Sequence, residues 1–435
     1  MKGVLDMKAE IISISTDILQ GKAQDQNVMF LAKELTNSGI EVQKSSFVKA
    51  SPEMLIEAIE QAGQDIELLV LIGGLGPDEE DITKQTLSDY LEQPLVLDQP
   101  SEDKIITYHK NSNFVMPASN QLQAMILQES LPIRNVTGLA VGLYYQSEEK
   151  AYLLLPGPFD ELEPTYIEEA KPILMDKLLN NRFFESRVLR LFGLSEVELT
   201  KKLEPIMKNQ IHVYPMQNEI EIQINVQEKD KEAAVQKADA LRDEVYERVE
   251  DYVYSEESQS LLETVKQLLT DEGLMITAAE SLTGGELLSS LSSLEEVSKI
   301  LNGGMVTYSN EVKNKNLGVT KQTIEKHGVV SAQCAIEMAE KVMKKFDVEI
   351  GVSLTGVAGP SSLEDEIPGT VWIGLAKEGM ETIAKKHHFA YKRNQNRQLS
   401  VLSALDMVRR LVLDKKIEGA VTLETVDEDQ KQEQQ

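Results

Sequence analysis

Two rhythms of apolar and polar positions alternate along the chain. "ELLVLI" (67–72) is apolar nearly throughout, as a strand buried on both faces must be. "AEIISI" (9–14) and "EVQKSSFV" (41–48) read as further strands. Spans at about 25–38 and 52–63 carry helical spacing instead. "ELLVLI" runs straight into "GGLGPDEEDITKQTLSDYL", a glycine-rich turn that opens a helix. Strand and helix in alternation predict a doubly wound α/β domain. "EKAYLLLPGPFDEL" adds a later strand and a Pro/Gly turn, so this domain is expected over 7–175.

The rhythm then changes. "QIHVYPMQNEIEIQINVQ" alternates as a hairpin does, and a helical stretch follows it, so 176–255 is expected to be a small α+β module. Residues 256–414 return to α/β patterning. "LMITAAES", "GGMVTYSN", "VEIGVSLTG" and "GTVWIGLA" read as strands, and helices are expected at about 332–346 and 395–413. The last stretch, 415–435, is acidic and polar, and disorder is expected there.

Composition narrows the function classes. The formal net charge of −28 disfavours duplex nucleic acid, and no Lys/Arg cluster with interleaved aromatics offsets it. Small anionic metabolites stay compatible, because a pocket can be locally positive. The single cysteine, Cys334, allows no disulfide within the chain and points to a reducing, cytoplasmic setting. It lies in an amphipathic pattern, which favours packing over catalysis. No apolar run reaches membrane-spanning length.

The candidate chemistry sits where strands end. "AAESLTGGELLSSL" places Ser281, Thr283, Gly284 and Gly285 just before a helix that begins at about Glu286. Ser281 reads either as an ordinary cap or as a nucleophile beside open backbone N–H donors. "SLTGVAGP", with Thr355 and Gly356, has the same design. Between them, "GGMVTYSNEVKNKNLGV" carries Tyr308, Asn310 and Lys313. Three strand-end motifs in one unit point to a ligand site, since ligands of α/β sheets bind outside the carboxyl ends of strands. A serine needs a base. His327, His387 and His388 lie outside the glycine turns, which leaves Lys313, a base only if burial makes it neutral. On composition alone, Lys313 is one of several solvated lysines. Trp372 and the pair His387–His388 read as packing and surface. In the first domain, Gly73, Gly74 and Gly76 are able to cradle phosphate. Asp17, Asp81 and Glu161 converge there as possible holders of a hydrated divalent metal, or serve merely as helix N-terminal acids.

Taken together, "AAESLTGG", "GGMVTYSNEVKNKNLGV", "HGVVS" and "LTGVAGP…PGTVWIGLA" resemble the C-terminal domain of the CinA family (competence/damage-inducible protein A), which is similar to nicotinamide mononucleotide deamidases. "STDILQGKAQDQN", "GGLGPDEEDITKQT", "NQLQAMIL" and "LLLPGPFDEL" resemble its N-terminal domain, similar to the molybdopterin-binding MoaB/MogA fold and in some members an ADP-ribose hydrolase. The family has a small KH-like middle domain. The resemblance implies that Ser281 is the nucleophile of a carboxamide hydrolysis. Tyr308, Lys313 and Thr355 belong to the same site, with Thr283, Gly284, Gly285, Asn310 and Gly356 around the substrate. Either Arg393 or Arg397, both in "YKRNQNR", serves the pocket. No cofactor is implied for the deamidase; a divalent metal is possible in the N-terminal domain. A homodimer and a competence or recombination partner protein are compatible with this reading.

The chain departs from the family pattern in places. Leu282 stands where the deamidase motif has Cys. The N-terminal departures are more numerous: Ser15-Thr16-Asp17 for Gly-Thr-Glu, Asp25 at the first position of Asn-Thr-Asn, Asp78 and Glu80 in "GPDEED", Val141 in "GLAVG", and Phe159 after "PGP". Asp78 adds charge where a phosphate would sit. The expectation is therefore an amidohydrolase with a degenerate N-terminal domain. The alternatives are a bifunctional enzyme that also cleaves the ADP-ribose pyrophosphate, and a non-catalytic competence or repair factor.

Overall fold

A computed structural model describes residues 7–112, 115–178, 183–216 and 218–426. These fall into two compact units. One holds the N-terminal α/β domain, the other the C-terminal α/β domain, and the middle module is divided between them.

In the N-terminal domain, β1 (Met7–Ile14), β2 (Ile40–Val48), β3 (Leu68–Ile72), β6 (Leu131–Ile133), β7 (Gly142–Gln146) and β8 (Ala151–Leu155) form one sheet of order β2-β1-β3-β8-β7-β6. β4 (Leu95–Leu97) and β5 (Met125–Leu127) make a separate antiparallel ribbon. β1, β2, β3 and β8 run parallel, β7 runs antiparallel to β8, and β6 antiparallel to β7. β3 explains the apolar run. Leu69 and Leu71 face one core, with Ile12, Leu87 and Leu154; Leu68, Val70 and Ile72 face another, with Leu31, Leu35 and Tyr166. A strand covered on both faces has no polar side to show.

The middle module has β9 (Phe183–Leu191), β10 (Ile211–Pro215), β11 (Ile220–Glu228) and β12 (Val253–Ser255) in the order β10-β11-β9-β12, with a helix over Lys231–Val249.

The C-terminal sheet holds β13 (Ile276–Glu280), β14 (Leu301–Val306), β15 (Ile350–Gly356), β16 (Thr370–Lys377), β17 (Ile383–His388) and β18 (Ala420–Val421), in the order β14-β13-β15-β16-β17-β18. β13 lies parallel to both β14 and β15, so three strand ends open on the same edge. The helices Leu261–Asp271 and Arg393–Val412 pack on one face, through Leu261, Val265, Leu269, Val401 and Leu405. The helix Ala332–Phe346 covers the other through Cys334, Met338 and Val342, capped by Ser331 Oγ, which accepts the Cys334 N–H at 3.2 Å. Burial pushes the Cys334 thiol up to about 12, as suits a packing cysteine. His387 is half-buried and stacked on Phe389.

The tail corrects one expectation. Ala420 and Val421 pair with Lys385 and Ala384, so the disorder expected over 415–435 does not hold there. Val421 and Val426 pack against a small cluster around Ile336, and this apolar contact is what orders the segment. Residues 427–435 lie outside the described residues.

Candidate functional site

Ser281 follows the last residue of β13, and its N–H donates to the Leu354 carbonyl of β15 at 2.9 Å. The next residues turn sharply. Gly284 and Gly285 take φ of +63° and +98°, a region that L side chains enter only with strain, which explains the glycine pair.

The turn is held by a carboxylate that sequence reasoning missed. Glu280, fully buried at the end of β13, accepts the N–H groups of Gly285 (3.0 Å), Leu287 (3.2 Å) and Leu288 (2.8 Å). These are the orphan donors at the start of the helix Glu286–Ser292. The Gly284 N–H donates to the Ser281 carbonyl at 3.1 Å. The expected cradle of open N–H groups at Gly284 and Gly285 is thus already filled, the second of them by the chain's own anion. The only sequence signal was an acidic residue closing an otherwise apolar strand, "ITAAE".

Lys313 comes from the segment after β14. Ser309 caps the short helix Asn310–Val312, and Lys313 opens the following turn, with its carbonyl accepting from Gly318 (3.0 Å) and Val319 (2.9 Å). The side chain is 1% exposed. Its Nζ lies 2.9 Å from Ser281 Oγ and 2.9 Å from the Thr307 carbonyl. Burial disfavours the ammonium and lowers the Lys313 pKa below its usual 10.5, against smaller opposing effects of Cys334 and Glu364. A lysine whose neutral form burial favours, beside a serine hydroxyl, is the arrangement that serine activation by a base requires.

The pair opens on a cleft of about 380 Å³, lined by Ser281, Leu282, Tyr308, the run from Gly356 to Ser361, Leu363 and Arg393. Leu282 also packs into the domain core. Arg393 spans the cleft. One guanidinium nitrogen donates to the Gly359 carbonyl at 2.7 Å, and the other reaches the Tyr308 hydroxyl at 3.3 Å. Arg397 is engaged differently, with the Thr283 carbonyl at 2.7 Å and Glu286 at 3.2 Å, and it does not line the cleft.

Other expected residues fall further out. Tyr308 is 61% exposed and touches Arg393 rather than Lys313. Thr355 is buried, and its hydroxyl donates to the Val329 carbonyl at 2.6 Å; it pins the "HGVV" turn while Gly356 takes the wall. Asn310 is exposed at the head of its short helix. The buried Thr283 hydroxyl oxygen has no hydrogen-bond partner among the described residues.

The N-terminal domain has a larger cleft, about 630 Å³, at the carboxyl ends of β1, β3 and β8. Gly73, Gly74, Gly76, Asp81 and Glu161 all line it, but Asp17 does not. The carboxylates are individually engaged. Asp81 accepts the Asp78 N–H at 2.9 Å, Glu161 accepts from Asn135 Nδ2 at 2.6 Å, and Asp17 is 70% exposed with Lys22 at 3.9 Å. Among the described residues no group of three His, Cys, Asp or Glu side chains is arranged to hold a metal. Asp17 and Asp81 therefore do not fit the shared metal site expected of them. Nearby, Lys84 is buried against the Gln123 carbonyl at 2.9 Å, and burial lowers its pKa to about 7.

Known proteins resemble the chain domain by domain. Residues 10–176 match the model of a probable molybdopterin binding domain, residues 186–255 that of the damage-inducible protein CinA KH domain, and residues 258–412 that of the CinA C-terminal domain. A competence-damage inducible protein of Listeria monocytogenes is 38% identical over 408 residues, covering 93% of this chain and 99% of the relative. One of Levilactobacillus brevis is 40% identical over 410 residues, covering 93% and 99%. Among solved structures, a CinA superfamily protein from Escherichia coli is 34% identical over 35% of this chain and 88% of that one, with a TM-score of 0.34.

Proposed function

The chain belongs to the CinA family of competence-damage inducible proteins, and on that premise we propose that its C-terminal domain is an amidohydrolase acting on the carboxamide of nicotinamide mononucleotide. The observation that carries the reading is the 2.9 Å approach of a buried, pKa-lowered Lys313 to Ser281 at the wall of a cleft.

Neutral Lys313 Nζ takes the Ser281 hydroxyl proton as Oγ attacks the amide carbon. The tetrahedral intermediate collapses with cleavage of the C–N bond. The Lys313 ammonium returns its proton to the departing nitrogen, which leaves as ammonia. A water molecule then gives a proton to Lys313 and attacks the acyl-serine, and Ser281 leaves as its alcohol with that proton. The balance is one amide and one water to one carboxylic acid and one ammonia. The Thr307 carbonyl holds Nζ in place throughout.

With the helix start occupied by Glu280, two backbone donors remain beside the nucleophile. The N–H groups of Leu282 and Thr283 donate to no protein acceptor among the described residues, and they are the donors for the oxyanion. Each such donor is worth about 3 kcal/mol of barrier. Arg393 is the phosphate ligand, being the guanidinium that lines the cleft. Arg397 supports the turn.

The test is ammonia release from nicotinamide mononucleotide by the intact chain and by Ser281→Ala. Release by the first and its loss in the second would establish the activity and its nucleophile. A folded intact protein that releases none would refute it. The N-terminal cleft supports ligand binding, but its dispersed carboxylates do not favour metal-dependent pyrophosphate cleavage. A purely partner-binding role in competence would leave the buried Ser281–Lys313 pair without a use.

A further inference from the structure

The walls of the N-terminal cleft carry acid without base. Among the described residues Asp81 and Glu161 line it, and no lysine or arginine does. The lysines whose charge bears on these acids are spent elsewhere: Lys84 Nζ donates to the Gln123 carbonyl at 2.9 Å, and Lys104 Nζ to the Asn135 carbonyl at 2.6 Å. Each acid also lies against a glycine turn. A Cβ at Gly76 would collide with the Asp81 carboxylate, and one at Gly138 with that of Glu161. Backbone that could cradle a phosphate therefore has an anion beside it already.

A second observation concerns Asn27, at the head of the helix Asn27–Asn37. It lines the same cleft and is 7% exposed. Its Nδ2 donates to the Gly157 carbonyl at 2.7 Å. That partner fixes the orientation of the amide, because the reverse would set oxygen against oxygen. The Oδ1 is then left without a partner among the described residues. A buried acceptor with no donor costs free energy, which a ligand bringing an N–H or O–H group recovers.

We propose that the N-terminal cleft binds a phosphate-free, hydrogen-bond-donating ligand of nucleoside size, held by Asn27 Oδ1 and the carboxylates of Asp81 and Glu161. The inference is independent of the amidohydrolase reading. The cleft volume, about 630 Å³, suits one small molecule. Ile14, Ile18, Ile72 and Leu139 give it apolar wall for the face of a ring. A nucleoside combines such a ring with vicinal hydroxyls, which are donors for a carboxylate. A phosphate would set like charges together in a partly enclosed site, where they repel more strongly than in water. The cleft thus departs from the phosphate cradle that Gly73, Gly74 and Gly76 suggest in the sequence.

The experiment is calorimetric titration of the full chain with adenosine and with adenosine 5′-monophosphate, magnesium chloride being present so that a metal-bridged phosphate would show. Both titrations are repeated on Arg393→Ala, which removes the guanidinium of the C-terminal cleft from the comparison. Adenosine is expected to saturate one site in both proteins, and the monophosphate to bind there about tenfold more weakly or less. Asn27→Leu lowers adenosine affinity about tenfold. Asp81→Asn with Glu161→Gln does the reverse for the monophosphate, bringing it to within about threefold of adenosine. This pair keeps the proposal testable if Asn27→Leu unfolds, which thermal denaturation shows. Four results overturn the proposal: no saturable adenosine binding at millimolar concentration, a monophosphate that binds Arg393→Ala as tightly as adenosine does, unchanged adenosine affinity in folded Asn27→Leu, or no gain in monophosphate affinity when both acids are neutralised.

Discussion

The two α/β domains meet the same problem at the same place and resolve it differently. In each, an apolar strand runs into a glycine-rich turn that starts a helix, and a cleft opens there. In the N-terminal turn the polar groups satisfy one another: Thr83 donates to the Gly73 carbonyl at 2.7 Å, and Asp81 accepts from Asp78. In the C-terminal turn Glu280 satisfies the backbone from below, which frees Ser281 to face Lys313. Among the described residues, the larger cleft has no lysine set against a serine hydroxyl as Lys313 is against Ser281. Cleft size and glycine content mark where a ligand can sit; a titratable group forced close to a nucleophile marks where a bond can break.

Ser281→Ala should break the comparison most sharply, lowering ammonia release by about 10³-fold or more, while Asp81→Asn leaves release within about twofold. Steady-state assays of the two purified variants check this, and equal losses would deny the division of labour. Lys313→Met is expected to cost about 10²–10⁴-fold. The pH profile of the intact chain carries the sign. The proposed mechanism needs Lys313 as the neutral amine, so kcat/KM is expected to rise with pH through a lysine pKa lying below 10.5 and to level off above it. A profile that falls over that range would remove Lys313 as base.

Glu280→Gln puts an NH₂ donor among three N–H donors, and about 1–3 kcal/mol of stability is expected to go with the lost acceptor. Thermal or urea unfolding measures it, and kcat should fall as the turn loosens. The smallest effects separate the two arginines. Arg393→Ala raises KM for the mononucleotide about tenfold or more and spares the smaller nicotinamide riboside. Arg397→Ala affects both substrates alike, because it acts through Thr283 and Glu286. The reverse pattern would exchange their roles.

The strands were legible because burial leaves a direct trace in composition; "ELLVLI" could hardly be anything but a central strand. The site was legible in part. Residue types and strand-end placement singled out Ser281 and Gly356, but Lys313 looked like one more solvated lysine in "EVKNKNLGV" until the family resemblance raised it. Its burial depends on the turn that follows β14 and carries it to a serine 32 residues earlier in the chain, which no local pattern encodes. Glu280 was passed over because its function is to fill donors that the glycines seemed to leave open. Glu364 lies in "SSLEDEIP", where periodicity says nothing and only the fold shows which acid turns inward. The ordered Ala420–Val421 strand was hidden in the same way, two apolar residues in an acidic surround.

Glu280 has a consequence for how the resting protein meets its surroundings. A helix start lined with unclaimed N–H groups is a general anion trap, and in a cell rich in phosphate, sulfate and carboxylates it would spend much of its time occupied by the wrong guest. This protein carries a permanent tenant. The nucleophile's turn is set before any substrate arrives, and it does not loosen or tighten with the ionic composition of the medium. Other anions then find the helix start closed, and the donors left to them among the described residues are the Leu282 and Thr283 N–H groups and the Arg393 guanidinium of the cleft.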